Sequence, residues 1–235
     1  MADGSVEVEF APHFNNAAHE KRAAQMGMWL FLVNEVMLFA GLFTAFFMYR
    51  YMYTETFRYM ALMHLDAGWG TANTVVLLLS SVTVLCAVLA AKQKKSRTAG
   101  MWLLATIAFA GVFLVVKYFE YSHKIHVGTL PGQYFSLDLA KELAANATNT
   151  NIKDAEIDLT KVGPGASMFF TLYFFITGLH AIHILIGMGI LAWLAVRCFR
   201  GEFDRRADTA VELGGMYWHL VDLIWIYVYP MLYLL

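Results

Sequence analysis

The chain has 235 residues, of which 59% are hydrophobic and 15% are charged, and its mean hydropathy is +0.54. These values exclude an ordinary soluble domain of this length. The formal net charge of −1 gives no excess of either sign that would point to a nucleic-acid partner.

Five apolar segments are long enough to cross a membrane. A helix needs roughly 20 apolar residues to span a hydrocarbon core of ~30 Å. The sequence predicts an all-α bundle of five transmembrane helices at Met26 to Met48, Thr71 to Ala91, Ala99 to Tyr118, Met168 to Arg197 and Val211 to Leu235.

The polar segments predict the topology. The amino-terminal tail, residues 1–25, has no apolar stretch typical of a cleavable signal peptide, so we expect the first span to insert directly. The basic segments "KQKKSR" and "RCFRGEFDRR" follow the second and fourth spans and belong on the cytoplasmic side. We therefore expect a membrane domain over residues 26–235 with a cytoplasmic amino terminus. The long connection at about 122–166, with a short helix near 137–145, and the carboxyl terminus would then lie outside.

Polar residues inside the spans are the candidates for chemistry, because each is costly in lipid. They are Asn34, Glu35, Asn73, His180, His183, His219 and Asp222. Near the outer end of the third span, Lys117 and Glu120 are spaced to pair on one helix face. Four glycines, at positions 41, 178, 187 and 189, predict close contacts between helices.

Two interpretations of these residues stay open. The His180/His183 and His219/Asp222 pairs each lie on one helix face and, with Glu35, resemble the ligands of helix-bundle di-iron sites. Such sites use more carboxylates than this chain offers, so we favour hydrogen bonds between helices over a metal site. Glu35 also has two interpretations: it belongs to a site that handles protons or binds a lipid headgroup, or it is a neutral, hydrogen-bonded acid that fixes helix packing. His183 or His219 from another helix is the candidate partner of its carboxyl group.

The segments "MGMWLFLVNEVMLFAGLFTAFF", "NTVVLLLSSVTV", "YFEYSHK", "FFTLYFFITGLHAIHILIG" and "YWHLVDLIWIYVYPMLYL" resemble successive helices of cytochrome c oxidase subunit III. The resemblance touches all five spans. It implies a non-catalytic accessory subunit of a haem-copper oxidase in the bacterial inner membrane. Such a subunit stabilises subunit I and supports proton uptake.

The resemblance also implies roles for single residues. Glu35 matches the intramembrane acid known for carbodiimide reactivity. A structural framework around a lipid-containing cleft would comprise Glu120, His180, His183, His219 and Asp222. No metal or redox cofactor is expected in this chain; haem and copper would belong to subunits I and II, and phospholipid is the expected ligand.

Several features depart from the family pattern. The seven-helix form has two further helices before those seen here, so the chain resembles the five-helix bacterial form. Asn34 stands where a Ser is more usual. The long outer connection would suit a further respiratory subunit or a cytochrome c as a partner. Quinol oxidase and nitric oxide reductase accessory subunits remain alternatives. A stand-alone membrane metalloenzyme or a small transporter that uses Glu35 is a weaker one.

Overall fold

The computed structural model describes residues 16–126, 165–201 and 205–234. In this part of the chain every regular element is a helix: α1 (Ala17–Met52), α2 (Thr54–His64), α3 (Ala67–Lys92), α4 (Ser96–His126), α5 (Ala166–Phe199) and α6 (Arg205–Tyr233). The predicted all-α class is confirmed. The amino-terminal tail before Asn16, and the predicted short helix at 137–145 with most of the outer connection, lie outside the described residues.

Among the helices of the described residues, four are long and apolar enough to cross a membrane: α1, α3, α4 and α5. The first four predicted spans fall inside these helices, which extend beyond the apolar segments at both ends. The fifth predicted span begins inside α6 but extends to Leu235, past the end of that helix at Tyr233. The first helix begins nine residues before Met26, where Asn16 caps it by accepting a hydrogen bond from the His19 amide at 2.8 Å. In α6, 29 residues long, His219, Asp222 and several aromatic residues interrupt the apolar sequence.

The short helix α2 was not predicted. The first helix ends just before Tyr53, whose backbone dihedral angles lie outside the helical region. The residues after it form a second helix, which packs between α1 and α5. Phe57 of α2 lies with Phe46 of α1 and Phe169 of α5 in a fully buried cluster, with ring centroids 5.2 to 6.4 Å apart. The tertiary contact of Phe57 accounts for a helix that composition alone does not indicate.

The helices α3 to α6 form a four-helix bundle, with α1 packed against α5 and α6. A tight turn joins α3 to α4. In it, Lys94 adopts a left-handed conformation (φ 59°), and its amide and that of Lys95 bond carbonyls of the last turn of α3. Long helices that follow one another along the chain run in alternating directions. The starts of α1 and α6 meet the end of α3 around Lys21, Lys92 and Glu212.

The glycines differ in what surrounds them. A Cβ on Gly187 would stand 2.9 Å from the Trp218 ring, so this glycine does mark a close contact of α5 with α6. At positions 41, 178 and 189 none of the described residues lies within 4 Å of such an atom. Within this chain the expectation of close helix contacts is therefore wrong for those three glycines.

Candidate functional site

Glu35 of α1 bonds to His183 of α5. The carboxyl Oε2 lies 2.9 Å from Nε2 of the imidazole, and each side chain is only 12% exposed. The other ring nitrogen, Nδ1, lies 2.8 Å from the backbone carbonyl of Leu179, one turn earlier. Phe39 packs its ring edge against the imidazole at 5.4 Å. Of the two histidines considered as partners for Glu35, the structure selects His183.

This geometry determines where protons can sit. A carbonyl oxygen only accepts hydrogen bonds, so Nδ1 of His183 must carry a hydrogen. If the imidazole is neutral, Nε2 is an acceptor, and Glu35 must supply the hydrogen as a carboxylic acid. If the imidazole is charged, Nε2 donates to a carboxylate. Either way the pair holds one proton in the bond between Glu35 and His183, and losing that proton leaves two acceptors facing each other.

An apolar cleft of about 470 Å³ opens beside this pair, between α1 and the facing sides of α5 and α6. Glu35 and His183 are its polar lining residues, and Tyr217, which donates a 3.0 Å hydrogen bond to the His183 carbonyl, closes one wall. The remaining wall includes Phe31, Ile186, Ile190, Trp193 and Leu194. The volume lies in the range of small-molecule sites, and the lining suits a hydrocarbon chain.

A second group, the serine cluster, lies between α3 and α6 and comprises Ser80, Ser81, Trp218, His219 and Asp222. The indole N–H of Trp218 donates to the Ser80 hydroxyl at 3.0 Å, and the Asp222 carboxyl is 3.5 Å from that hydroxyl. The hydroxyl of Ser81 lies 2.8 Å from Nδ1 of His219. The structure thus pairs His219 and Asp222 with two adjacent serines of α3.

His180 lies away from these groups in the core of the bundle. Its side chain is completely buried, stacked on Trp225 at 5.3 Å and touched by the edge of Phe113 at 5.9 Å. Among the described residues, neither ring nitrogen has a hydrogen-bond partner. The expectation of a backbone or side-chain partner for His180 is therefore wrong in this part of the chain.

A third group, the Glu120 network, ties α4 to α5 and α6 and comprises Lys117, Glu120, Lys124, Tyr173 and Tyr233. Glu120 accepts from Lys117 at 2.8 Å and Lys124 at 2.5 Å, and from the hydroxyls of Tyr173 at 2.8 Å and Tyr233 at 2.6 Å. The predicted bond between Lys117 and Glu120 is present.

The charged groups of the Glu120 network are buried, so each of them needs a partner inside the protein. The lysine side chains are only 7% and 2% exposed, and the Lys117 ammonium also lies 4.7 Å from the Trp225 ring centre. A buried charge is tolerated when opposite charge and hydrogen bonds surround it. One carboxylate therefore serves two ammonium groups, with aromatic rings and phenol hydroxyls completing their surroundings.

The metal interpretation gains no support from these positions. In the described part of the chain, no group of three or more His, Cys, Asp or Glu side chains converges as metal ligands would. His183 is bonded to Glu35, whereas His219 faces the serines of α3 on another side of α6. The pairs that the metal interpretation would need as ligands are thus divided between separate clusters.

Family comparison places these features in context. A family model described as cytochrome c oxidase subunit III matches residues 2–129 and 147–235. The chain belongs to the cytochrome c oxidase subunit III family. The suspected resemblance is confirmed over nearly the whole sequence.

Curated relatives support membership of the subunit III family. The chain is 28% identical to a heme-copper oxidase subunit I+III of Aeropyrum pernix, an alignment covering 91% of this chain but 23% of that protein. It is 26% identical to a cytochrome c oxidase subunit 3 of Thermostichus vulcanus, and that alignment covers 99% of this chain and 98% of the relative. It is also 26% identical to a cytochrome bo(3) ubiquinol oxidase subunit 3 of Pseudomonas putida, and that alignment covers 89% of this chain and 84% of the relative.

Sequence reasoning missed several residues of this subunit III homologue. Ser80 and Ser81 sit inside an apolar span, and nothing in their own sequence marks them as partners of α6. The Glu120 network had a usable signal. Lys117, Glu120 and Lys124 recur every three or four residues, which puts all three on one face of α4. The tyrosines that complete it come from distant helices and carry no local signal.

Proposed function

We propose that the chain is the non-catalytic subunit III of a haem-copper terminal oxidase in aerobic respiration. The observation that carries the proposal is the family match over both parts of the chain, residues 2–129 and 147–235. In this role the chain stabilises subunit I, supports its proton uptake and holds phospholipid. Haem and copper belong to the partner subunits, chiefly subunits I and II.

We place five helices across the bacterial inner membrane, with α6 as the fifth, and the amino terminus in the cytoplasm. The alternating directions of α1, α3, α4, α5 and α6 support five crossings. Basic residues collect at the end of the bundle where Glu212 lies: Lys21, Arg22, Lys92, Lys94, Lys95, Arg97, Arg197 and Arg200. Short basic segments favour the cytoplasmic side, which supports this orientation.

The cleft beside Glu35 and His183 is the proposed lipid site. An acyl chain matches its apolar walls, and the cleft lies between the polar pair and the Glu212 end, where basic residues suit an anionic headgroup. The proton held between Glu35 and His183 would then lie beside the lipid and within the membrane. This position supports a role for the pair in proton handling near the cytoplasmic side.

The exposed face of α1 is the proposed contact with subunit I. Leu30, Met37 and Met48 are 59 to 70% exposed there, and Asn34 is exposed among them. Lipid offers an amide no hydrogen bond, so Asn34 favours a protein neighbour over hydrocarbon. The Aeropyrum pernix relative named subunit I+III carries both names in one protein, which is consistent with such an association.

The electron donor has two candidates, since the relatives include proteins named cytochrome c oxidase subunit 3 and cytochrome bo(3) ubiquinol oxidase subunit 3. We favour a cytochrome c oxidase on the family match. Purification of the chain in mild detergent, followed by a redox difference spectrum and metal analysis, tests the assignment. We expect haem and copper in the purified complex. We expect neither of them in this chain once it has been separated from the other subunits. Stoichiometric iron on the isolated chain, without haem, would overturn the proposal.

Proton uptake is tested by turnover. An oxidase prepared without this chain should start at the parental rate and then lose activity faster, most clearly at high pH where proton supply is limiting. Restoring the chain should restore the lifetime of activity. Equal decay of activity with and without the chain would remove proton uptake from the proposed role while leaving the assembly assignment standing.

A further inference from the structure

The core of the four-helix bundle contains an imidazole without a protein partner. His180 is 0% exposed, and the rings of Phe113 and Trp225 cover it. An imidazole always has at least one N–H donor and, when neutral, one acceptor nitrogen. Leaving both nitrogens without hydrogen bonds in a low-dielectric core is costly, and native structures rarely do so.

A second buried group in the same core has the same deficit. Asp222 is 3% exposed, and its Oδ1 atom has no partner among the described residues. Its Oδ2 atom is 3.5 Å from Ser80, but the single hydrogen of that hydroxyl has a closer acceptor, the Leu77 carbonyl at 2.7 Å. Ser81 also interacts with the carboxyl, and its hydroxyl is shared with His219. The carboxyl therefore has unused acceptor capacity.

Trp225 of α6 connects these two groups. Trp225, which stacks on His180, lies three residues after Asp222 on α6, a rise of about 4.5 Å along the helix. Trp225 also borders the Glu120 network, because the Lys117 ammonium lies 4.7 Å from the centre of its ring. Unpartnered polar atoms thus occur between the serine cluster and the Glu120 network, in the core of α3 to α6.

We propose that His180 and Asp222 bind water molecules inside this core, forming a short internal chain between the serine cluster and the Glu120 network. Water suits the site because it can accept from the imidazole N–H and can donate to the other imidazole nitrogen and to the Asp222 carboxyl. Buried waters typically bond two to four polar groups of this kind. This site is separate from the apolar cleft at Glu35, which lies on the other side of α5 and α6 toward α1.

Radiolytic hydroxyl labelling of the intact complex, read by mass spectrometry, tests the proposal. Hydroxyl radicals generated from a bound water label the side chains next to it, even when bulk solvent cannot reach them. Phe113 and Phe169 are matched reporters, since they are the same residue type and are 1% and 0% exposed. Phe113 touches His180, whereas Phe169 lies in the aromatic cluster with Phe46 and Phe57. We expect several-fold more labelling of Phe113 than of Phe169.

A variant assigns the water to the imidazole. His180→Phe removes both nitrogens at similar volume and should reduce labelling of Phe113 to the level of Phe169. Equal labelling of the two phenylalanines in the parent protein would overturn the proposal, and this comparison needs no variant to fold. Unchanged labelling of Phe113 in a folded His180→Phe protein would overturn it as well.

Discussion

Glu35 and His183 are separated by 148 residues in sequence, yet their side chains meet at 2.9 Å. This bond joins α1 to α5 beside an apolar cleft. The contact is a hydrogen bond whether the pair is neutral or charged.

The first prediction separates that bond from the charge. Glu35→Gln keeps an amide N–H that can donate to Nε2 of His183, so we expect little change in the thermal stability of the subunit in detergent. Glu35→Leu leaves the imidazole unpartnered and should cost about 1–3 kcal/mol. Equal destabilisation by both substitutions would show that the carboxyl charge is required for packing.

The second prediction concerns buried and exposed ion pairs. Glu120→Gln leaves Lys117 and Lys124 buried without an anion, and breaking such a network costs about 3–5 kcal/mol. Glu212→Gln is the matched control, because the Glu212 side chain is 20% exposed and its partner Lys21 43% exposed, so that pair contributes about 0–1 kcal/mol. Chemical denaturation of the detergent-solubilised subunit measures both. A loss at Glu120 as small as that at Glu212 would contradict the burial argument.

The third prediction uses two glycines of α5. Gly187→Ala places a methyl group 2.9 Å from the Trp218 ring, which is itself completely buried and has no room to move. We expect a loss of about 1–3 kcal/mol from this overpacking. Gly189→Ala has none of the described residues within 4 Å of the added methyl group and should change stability by less than about 0.5 kcal/mol. Thermal denaturation of the two variants side by side checks the difference; similar stabilities would mean that α5 and α6 separate easily.

The fourth prediction tests the surface proposed for subunit I. Asn34→Leu should reduce the haem that copurifies with the chain, because the amide is expected to bond across that interface. Val36→Leu, also exposed on α1, keeps the surface apolar and should retain haem at the parental level. Full retention of haem by Asn34→Leu would place the contact with subunit I on another face.

Apolar segments were enough to predict all five long helices, since lipid forces the backbone to satisfy its own hydrogen bonds. The helix α2 was missed because the burial of Phe57, which holds it, depends on Phe46 and Phe169 from other helices. The ends of the helices were also underestimated. Polar turns such as Ala17 to Gln25 continue a helix beyond the apolar segment.

In the candidate site too, contacts within one helix could be predicted from the sequence, whereas contacts between helices could not. Spacing along one helix predicted the pair of Lys117 and Glu120, because both residues lie on α4. Spacing does not say how neighbouring helices are rotated. It therefore did not indicate that His219 and Asp222 face two serines of α3, or that His180 faces aromatic rings.

These contacts determine the order in which the newly synthesised helices can pair. The α3 and α4 hairpin has only Gln93, Lys94 and Lys95 between its helices, so it can pair as soon as both have left the ribosome. The first helix meets its partners α5 and α6 only at the end of translation, after 148 further residues have brought His183 into the membrane. Until then, newly made α1 lies in the bilayer with Glu35 lacking that partner.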